Sequence, residues 1–226
     1  MKHIAIISGA LIMATTGALA EQSIYIDQVN SSDGLTLTIN QSSGDGNQVG
    51  QPLAADPYFS LDGSSQTITI DQYGASNRLW GEFVGLSATL DIDQTGSSND
   101  IDLVAAGIQN SNWVFNLTGS SNVFDVDVTA GDTADIDFVY VGDTNDTLLD
   151  MSNDGGTVNV NLTGDGNDYD ITTSGYGTSL AGHEITVTSI GSYNTVALTQ
   201  SGTLNANVID LDITGDNQSI TVTQSD

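Results

Sequence analysis

Residues 67–77 read Thr-Ile-Thr-Ile-Asp-Gln-Tyr-Gly-Ala-Ser-Asn, and residues 89–99 repeat the pattern as Thr-Leu-Asp-Ile-Asp-Gln-Thr-Gly-Ser-Ser-Asn. Each copy joins a strand that is apolar at every second position to a glycine turn and an asparagine. A turn signal of this kind returns every 11 or 12 residues along the chain. The short period predicts an all-β solenoid, in which stacked coils bury one continuous core. The turn glycines are Gly74, Gly85, Gly96, Gly107, Gly119, Gly142, Gly164, Gly175, Gly191, Gly202 and Gly215. Ala130 and Asn153 take the turn position in two further units.

The apolar alternation continues well beyond the two quoted copies. Ile101 and Leu103, like Trp113 and Phe115, are separated by one polar or smaller residue, so their side chains should share the buried face of a strand. Helices are not expected after residue 20, because glycine recurs too often and β-branched residues dominate the strands. Sixteen strand–turn units, taken two to a coil, predict about eight coils.

Side-chain amides recur at two fixed places, glutamine at the end of a strand and asparagine three residues after the turn glycine. Inward-pointing amides in successive coils would lie 4.7–4.8 Å apart and hydrogen-bond along the stack axis, as amide ladders do in cross-β assemblies. The candidate ladder residues are Gln28, Gln41, Gln72, Asn77, Gln94, Asn99, Asn122, Asn145, Asn167, Asn194, Gln200, Asn205 and Gln224.

The middle of the chain departs from this pattern. There the glutamine position becomes Leu117, Val128, Tyr140, Met151, Leu162, Thr173 and Ser189, and the asparagine position drifts to Ala88, Thr133, Gly156 and Thr178. We therefore expect the period to specify the solenoid throughout. The amide ladders should be concentrated towards the two ends, with apolar packing between them.

The spacing Gln-x-Gly-x-x-Asn at residues 72–77, 94–99 and 200–205 resembles the curlin repeat, in which two strand–turn arcs make one unit of about 22 residues. The resemblance spans most of residues 23–226. It implies a secreted subunit of curli, the extracellular amyloid fibres of bacterial biofilms, which serve adhesion and the biofilm matrix. The implied partners are copies of the same chain and other curlin subunits. Whether the chain would be a main or a nucleating subunit is left open.

Residues 1–20 predict a secretory signal peptide. Lys2 and His3 precede the apolar segment 4–19, and Ala18-Leu19-Ala20 is a small-residue cleavage site. Residues 21–226 would then form one solenoid domain at the bacterial cell surface. Two interruptions of the period predict insertions near residues 48–60 and 176–183. No later segment is apolar enough to span a membrane.

Acidic residues dominate the charge of the chain. Without Lys2, the single basic residue is Arg78 against 29 Asp and Glu, a net charge of −28. Nucleic acid and anionic membranes are excluded as partners, because both need basic side chains to meet phosphate. Outward Asp side chains about 4.8 Å apart in stacked coils repel by on the order of 0.9 kcal/mol per solvated pair. We therefore expect acid, salt or divalent cations to promote assembly.

A different class of function remains open, a soluble acidic solenoid that binds calcium or a surface polymer. Residues 164–170, Gly-Asp-Gly-Asn-Asp-Tyr-Asp, look like one copy of a calcium-binding nonapeptide, but the period here is 11 or 12 rather than nine. Threonine pairs in several strands suit ice binding, yet Asp pairs interrupt them. His183 beside Glu184 gives catalysis little basis, so no enzyme and no cofactor is predicted, apart from calcium on the Asp-rich surface.

Overall fold

The computed structural model describes residues 3–5, 10–15, 22–28, 34–42, 46–50, 59–84, 87–175, 183–202 and 207–225. These residues form β-strands joined by turns and contain no helix. The strands are β1 (His3–Ala5), β2 (Ala10–Thr15), β3 (Gln22–Gln28), β4 (Thr36–Gln41), β5 (Gly46–Val49), β6 (Phe59–Asp62), β7 (Thr67–Tyr73), β8 (Ser76–Val84), β9 (Thr89–Thr95), β10 (Ser98–Ala106), β11 (Gln109–Thr118), β12 (Ser121–Val141), β13 (Asp146–Thr163), β14 (Asp168–Ser174), β15 (Glu184–Ile190), β16 (Thr195–Ser201), β17 (Val208–Thr214) and β18 (Ser219–Ser225).

The described strands pair in parallel with strands one coil away, which winds the chain into a β-solenoid with two arms. The first arm stacks β1, β3, β5 with β6, β8, β10, the first halves of β12 and β13, β14, β16 and β18. The second arm stacks β2, β4, β7, β9, β11, the second halves of β12 and β13, β15 and β17. The predicted all-β solenoid is thus confirmed.

The chain turns twice in each coil. The asparagine corner leads from the second arm into the first and contains residues 74–77 and their equivalents. The opposite corner leads from the first arm into the second and contains residues 63–66 and their equivalents. Between Ser76 and Thr214 the described strands make six regular two-arm coils. The predicted number of eight coils is not confirmed.

The core is one continuous column between the two arms. Side chains alternate between buried and more exposed along strands β4 to β16, as the period of two predicted. In the middle of the stack the column is aromatic. The rings of Phe115 and Phe138, one coil apart, stack with centroids 5.3 Å apart, and Phe124 meets Phe138 edge-on at 4.5 Å. Trp113, expected in the core, is fully buried.

Several sequence-based boundaries were wrong. Residues 48–49 belong to β5 and residues 59–60 to β6, although we expected them in an insertion. Residues 51–58 and 176–182 lie outside the described residues. His183 is buried at the opposite corner, where its backbone N–H donates to the Asn207 side-chain oxygen at 3.1 Å. Ala130 and Asn153, read as turns, lie within the long strands β12 and β13.

Two described strands fall in the predicted signal peptide. β1 pairs with β3, and β2 pairs with β4, so residues 3–5 and 10–15 lie on the outer edge of the first strands. Signal-peptide function and removal of residues 1–20 stay predictions. No helix in the described part of the chain could act as a membrane span.

Candidate functional site

The asparagine corner carries the same two residues in coil after coil. A glycine ends the second arm, and an asparagine three residues later starts the first arm with its side chain buried. Because the strands are parallel and in register, each asparagine lies directly above its equivalent one coil away. The corner therefore lines up amide groups parallel to the stack axis.

Those amides form an unbroken chain of hydrogen bonds. Asn47 Nδ2 donates to Asn77 Oδ1 at 3.0 Å, and Asn77 donates to Asn99 at 2.8 Å. Asn99 donates to Asn122, and Asn122 to the next asparagine, both at 2.6 Å. The column thus continues through the middle of the stack.

The upper end of the column changes its bonding slightly. Asn145 donates to Asn167 Oδ1 at 2.9 Å from both its side chain and its backbone nitrogen. The backbone N–H of Asn167 donates to Asn194 Oδ1 at 3.0 Å. Gln218 occupies the last position and donates to the carbonyl of Gly191. We call the seven residues from Asn47 to Asn194 the asparagine ladder: Asn47, Asn77, Asn99, Asn122, Asn145, Asn167 and Asn194.

Glutamines form two shorter ladders, one on each arm. On the second arm Gln94 Nε2 donates to Gln72 at 2.6 Å, and Gln72 donates to Gln41 at 2.7 Å. On the first arm Gln224 donates to Gln200 at 3.2 Å. These donors point to the preceding coil, whereas those of the asparagine ladder point to the following coil. The glutamines also brace the turns, since Gln72 Nε2 bonds the carbonyl of Arg78.

The glycines of the asparagine corner are packed backbone to backbone. A Cβ built on Gly96, Gly119, Gly142, Gly164, Gly191 or Gly215 would overlap the carbonyl oxygen of the preceding corner glycine. Gly142, Gly164 and Gly191 also have φ of +145°, a conformation that residues with a Cβ rarely adopt. Glycine is therefore required here for both close approach and backbone conformation.

The expectation that amide ladders are concentrated at the ends was wrong for asparagine. The glutamine column does become apolar in the middle, where Leu117, Tyr140 and Leu162 are buried. The asparagine ladder crosses the same coils without a break. The apparent drift to Ala88 and Gly156 belongs to the opposite corner, which has its own column. That column contains Gln66, Ala88, Ser111, Ala134, Gly156, His183 and Asn207.

No family model matches the chain, and no curated protein or solved structure shows significant similarity to it.

The remaining sequence-predicted residues are placed as follows. Gln28 lies in β3, and nothing is described of its side chain. Gly85, Thr178 and Asn205 lie outside the described residues. The buried asparagine between β16 and β17 is Asn207. Sequence reasoning also missed Asn47 and Gln218, although both follow a glycine by three residues and the spacing would have found them.

Acidic side chains crowd the outer face of the first arm. Asp102 and Asp125 are register partners in adjacent strands, as are Asp127 and Asp150. Burial, followed by the charges of Asp127 and Asp146, raises the pKa of Asp125. Burial, followed by Asp125 and two further aspartates, raises the pKa of Asp102. Like charges held at coil spacing therefore oppose ionisation in the folded protein.

Charge repulsion is relieved at some places by asparagine. Asn116 Nδ2 donates to Asp93 Oδ1, and Asn159 Nδ2 to Asp137 Oδ1, each at 2.7 Å. Within the described residues no group of three or more acidic or histidine side chains is arranged to hold a metal ion. Calcium binding stays a prediction.

We expect the protein to become more stable as the pH falls from 7 towards about 4. The folded pKa values of Asp71, Asp91, Asp102 and Asp125 are raised, so the folded state binds these protons before the unfolded state does. The contribution of these aspartates to the free energy of unfolding is fully present below their pKa in the unfolded state, and it is lost as the pH rises through their pKa in the folded state. Thermal unfolding followed by circular dichroism would show this, and Asp125→Asn should reduce the dependence. A thermal unfolding midpoint that decreases steadily as the pH is lowered from 7 to 5 would contradict this prediction.

Proposed function

We propose that this chain is a curlin-like structural subunit, secreted and self-assembling into extracellular amyloid fibres that serve adhesion and the biofilm matrix. The observation that carries the proposal is the asparagine ladder, which repeats one buried side-chain amide bond along the stack axis from Asn47 to Asn167 and reaches Asn194 through a backbone N–H. Amyloid fibres use the same axial bond between molecules. We also propose eight coils in residues 21–226, with two irregular ones before Ser76.

The last described coil supports addition of further strands. Ile220 and Val222 in β18 are 47% and 45% exposed, while their register partners Val196 and Leu198 in β16 are buried. Ile209, Leu211 and Ile213 in β17 are only partly buried. An unpaired strand edge with exposed apolar residues is a template for another chain.

The acidic surface supports control of that assembly by solution conditions. Two copies that approach each other both carry a large negative charge, and salt screens this repulsion over roughly 10 Å at 0.1 M. Protonation of the crowded aspartates weakens it further. Assembly should therefore be slow at neutral pH and low salt, and faster in acid, in salt or with divalent cations.

Electron microscopy and fibre diffraction of residues 21–226 test the proposal. We expect unbranched fibres with a meridional reflection at about 4.7 Å, and thioflavin-T kinetics that accelerate from pH 7 to pH 5 and on addition of salt. Monomers that stay monodisperse under all of these conditions would contradict the proposal. Calcium-dependent retention on an uncharged polysaccharide by such monomers would instead favour the acidic binding solenoid.

A further inference from the structure

The first and last strands of residues 21–226 are near copies of each other. Residues 22–28 read Gln-Ser-Ile-Tyr-Ile-Asp-Gln, and residues 218–224 read Gln-Ser-Ile-Thr-Val-Thr-Gln. Gln, Ser, Ile and the final Gln are identical, and the inward Ile26 is matched by Val222. Residues 194–200, on which residues 218–224 stack, share with them only Thr199 and Gln200 at equivalent positions.

The register of the stack makes this match a structural one. Gln22 is the register partner of Asn47, so it lies in the column of the asparagine ladder at one end, as Gln218 does at the other. Ile24 and Ile220 occupy one inward column of the first arm. Gln28 and Gln224 occupy the column that also contains Gln200. β3 therefore matches the pairing position that β18 occupies on the edge of β16.

The rest of the protein covers β18 only weakly at this position. All seven of its residues are exposed, and within the described residues no strand pairs with its outer edge. Ile24 and Ile26 of β3 are buried, at 3% and 0% exposure, in the structure in which β1 pairs with the outer edge of β3. A strand that buries no residue gives up little apolar contact when it leaves its place.

The alternation of the two arms decides how a second copy can join. If β3 of a second copy were added on top of β18, its β4 would lie two coil spacings above β17, which leaves one second-arm position empty. If β3 instead takes the place of β18 on β16, β4 lies directly on β17. Leu37 and Ile39 then cover Ile209 and Leu211, and every strand edge at the junction is paired.

The outward side chains of that junction avoid the like-charge contacts found inside the stack. Asp210 and Asp212 of β17 would meet Thr38 and Asn40 of β4, not further carboxylates. Asparagine over aspartate is the arrangement that gives a 2.7 Å bond between Asn116 and Asp93 within the chain. A junction of this kind spares a highly acidic protein most of the repulsion at its ends.

We propose that copies of this chain join by strand exchange, in which β3 of one copy displaces β18 of another and β4 follows onto β17. The inference rests on the proposed self-assembly and specifies its junction. β18 is then a resident strand that occupies the acceptor site until a second copy replaces it. Because β1 and β2 pair with β3 and β4 in the structure, the exchange-competent chain is the one that begins after residue 20.

Truncation after Asn217 tests the role of β18 in residues 21–226. We expect a several-fold shorter thioflavin-T lag, because the acceptor site is open from the start. An unchanged, longer or infinite lag would overturn strand exchange and make β18 itself the acceptor. Circular dichroism of the truncated monomer checks that it keeps its strand content. If unfolding obscures the lag, the cysteine experiment below decides between the two modes.

Cysteine pairs locate the junction in a chain that has none of its own. Tyr25 and Thr221 occupy equivalent positions, and Thr221 is the register partner of Ala197. Under exchange, mixed Tyr25→Cys and Ala197→Cys chains form an intermolecular disulfide, whereas Tyr25→Cys and Thr221→Cys chains do not. The reverse result would overturn exchange while leaving self-assembly intact.

A lock on β18 supplies the complementary control. The double variant Ala197→Cys/Thr221→Cys, when oxidised, should tie β18 to β16 and stop assembly, and reduction should restore it. Fibre growth at the wild-type rate from the oxidised variant would contradict exchange. Absence of fibres from the wild-type chain under every condition would overturn the proposed function, and exchange with it.

Discussion

Gly142→Ala is expected to lower the free energy of unfolding by about 3–5 kcal/mol. The added Cβ would overlap the carbonyl oxygen of Gly119 in the neighbouring coil, and a φ of +145° is one that alanine rarely adopts. The backbone cannot move aside easily. The N–H of Gly142 donates to the carbonyl of Thr163 at 2.9 Å, and its carbonyl accepts from Asn145 Nδ2 at 2.7 Å. Urea unfolding followed by tryptophan fluorescence measures the loss.

Gly166→Ala is the matched control. Gly166 also has a positive φ, +71°, but a Cβ there would meet nothing closer than the Thr144 methyl group at 3.8 Å. Its replacement should cost about 1–2 kcal/mol from backbone conformation alone. The difference between the variants isolates the close approach of stacked corners. Equal losses would show that the coils can separate locally, and would contradict the tight packing of the glycine column.

The sequence predicted the buried residues better than it predicted the corners. A period of two determines which side chains face inward, whatever the exact path of the turns, so Trp113 and Phe115 were assigned correctly. The turns at Ala130 and Asn153 were not, because a solenoid corner can bend within a continuous ladder. Strand β12 passes its corner with a register shift between Thr129 and Asp132.

Six of the seven residues of the asparagine ladder were among the candidate ladder residues, but the length of the repeat concealed that the ladder continues through the middle of the stack. Successive turn signals are 11 or 12 residues apart, but they alternate between the two corners. An alignment of all the repeats therefore mixes residues of the asparagine corner with residues of the opposite corner. At the asparagine corner Asn99 and Asn122 are bonded in sequence, while at the opposite corner the equivalent places are taken by Ala88 and Ser111. Comparing every second unit separates the two columns. The hydrogen-bond pattern itself depends on register, which the period alone does not contain.

The two corners differ in what they tolerate for a physical reason. At the asparagine corner the glycine backbone is in contact with the next coil, and the amides of Asn77, Asn99 and Asn122 are bonded both above and below, so a change in one coil affects its neighbours. The opposite corner carries glutamine, alanine, serine and histidine at equivalent places, and nine residues separate Ser174 from Glu184 there, against four between Asp62 and Thr67. Variation is therefore concentrated where axial bonding is weakest.

Asn122→Ala should break the asparagine ladder at its centre and destabilise the chain by about 2–4 kcal/mol. Asn122 is fully buried, accepts from Asn99 at 2.6 Å and donates to Asn145 at 2.6 Å. Alanine leaves a donor and an acceptor with one fewer partner in a place closed to water. The outward-facing Asn161, which is exposed, is the control, and Asn161→Ala should change the free energy of unfolding by less than about 0.5 kcal/mol.

Asn122→Asp distinguishes loss of the ladder bond from loss of packing. Aspartate keeps the shape and the oxygen that accepts from Asn99, but when ionised it has no proton to donate to Asn145 and places a charge in the core. Burial raises the pKa of such a carboxyl, and its protonated form can donate again. The variant should thus be less stable than Asn122→Ala at pH 7 and recover at acid pH, whereas the alanine variant should not recover relative to wild type. Parallel pH profiles for the two variants would show that packing, and not the axial amide bond, holds the coils in register.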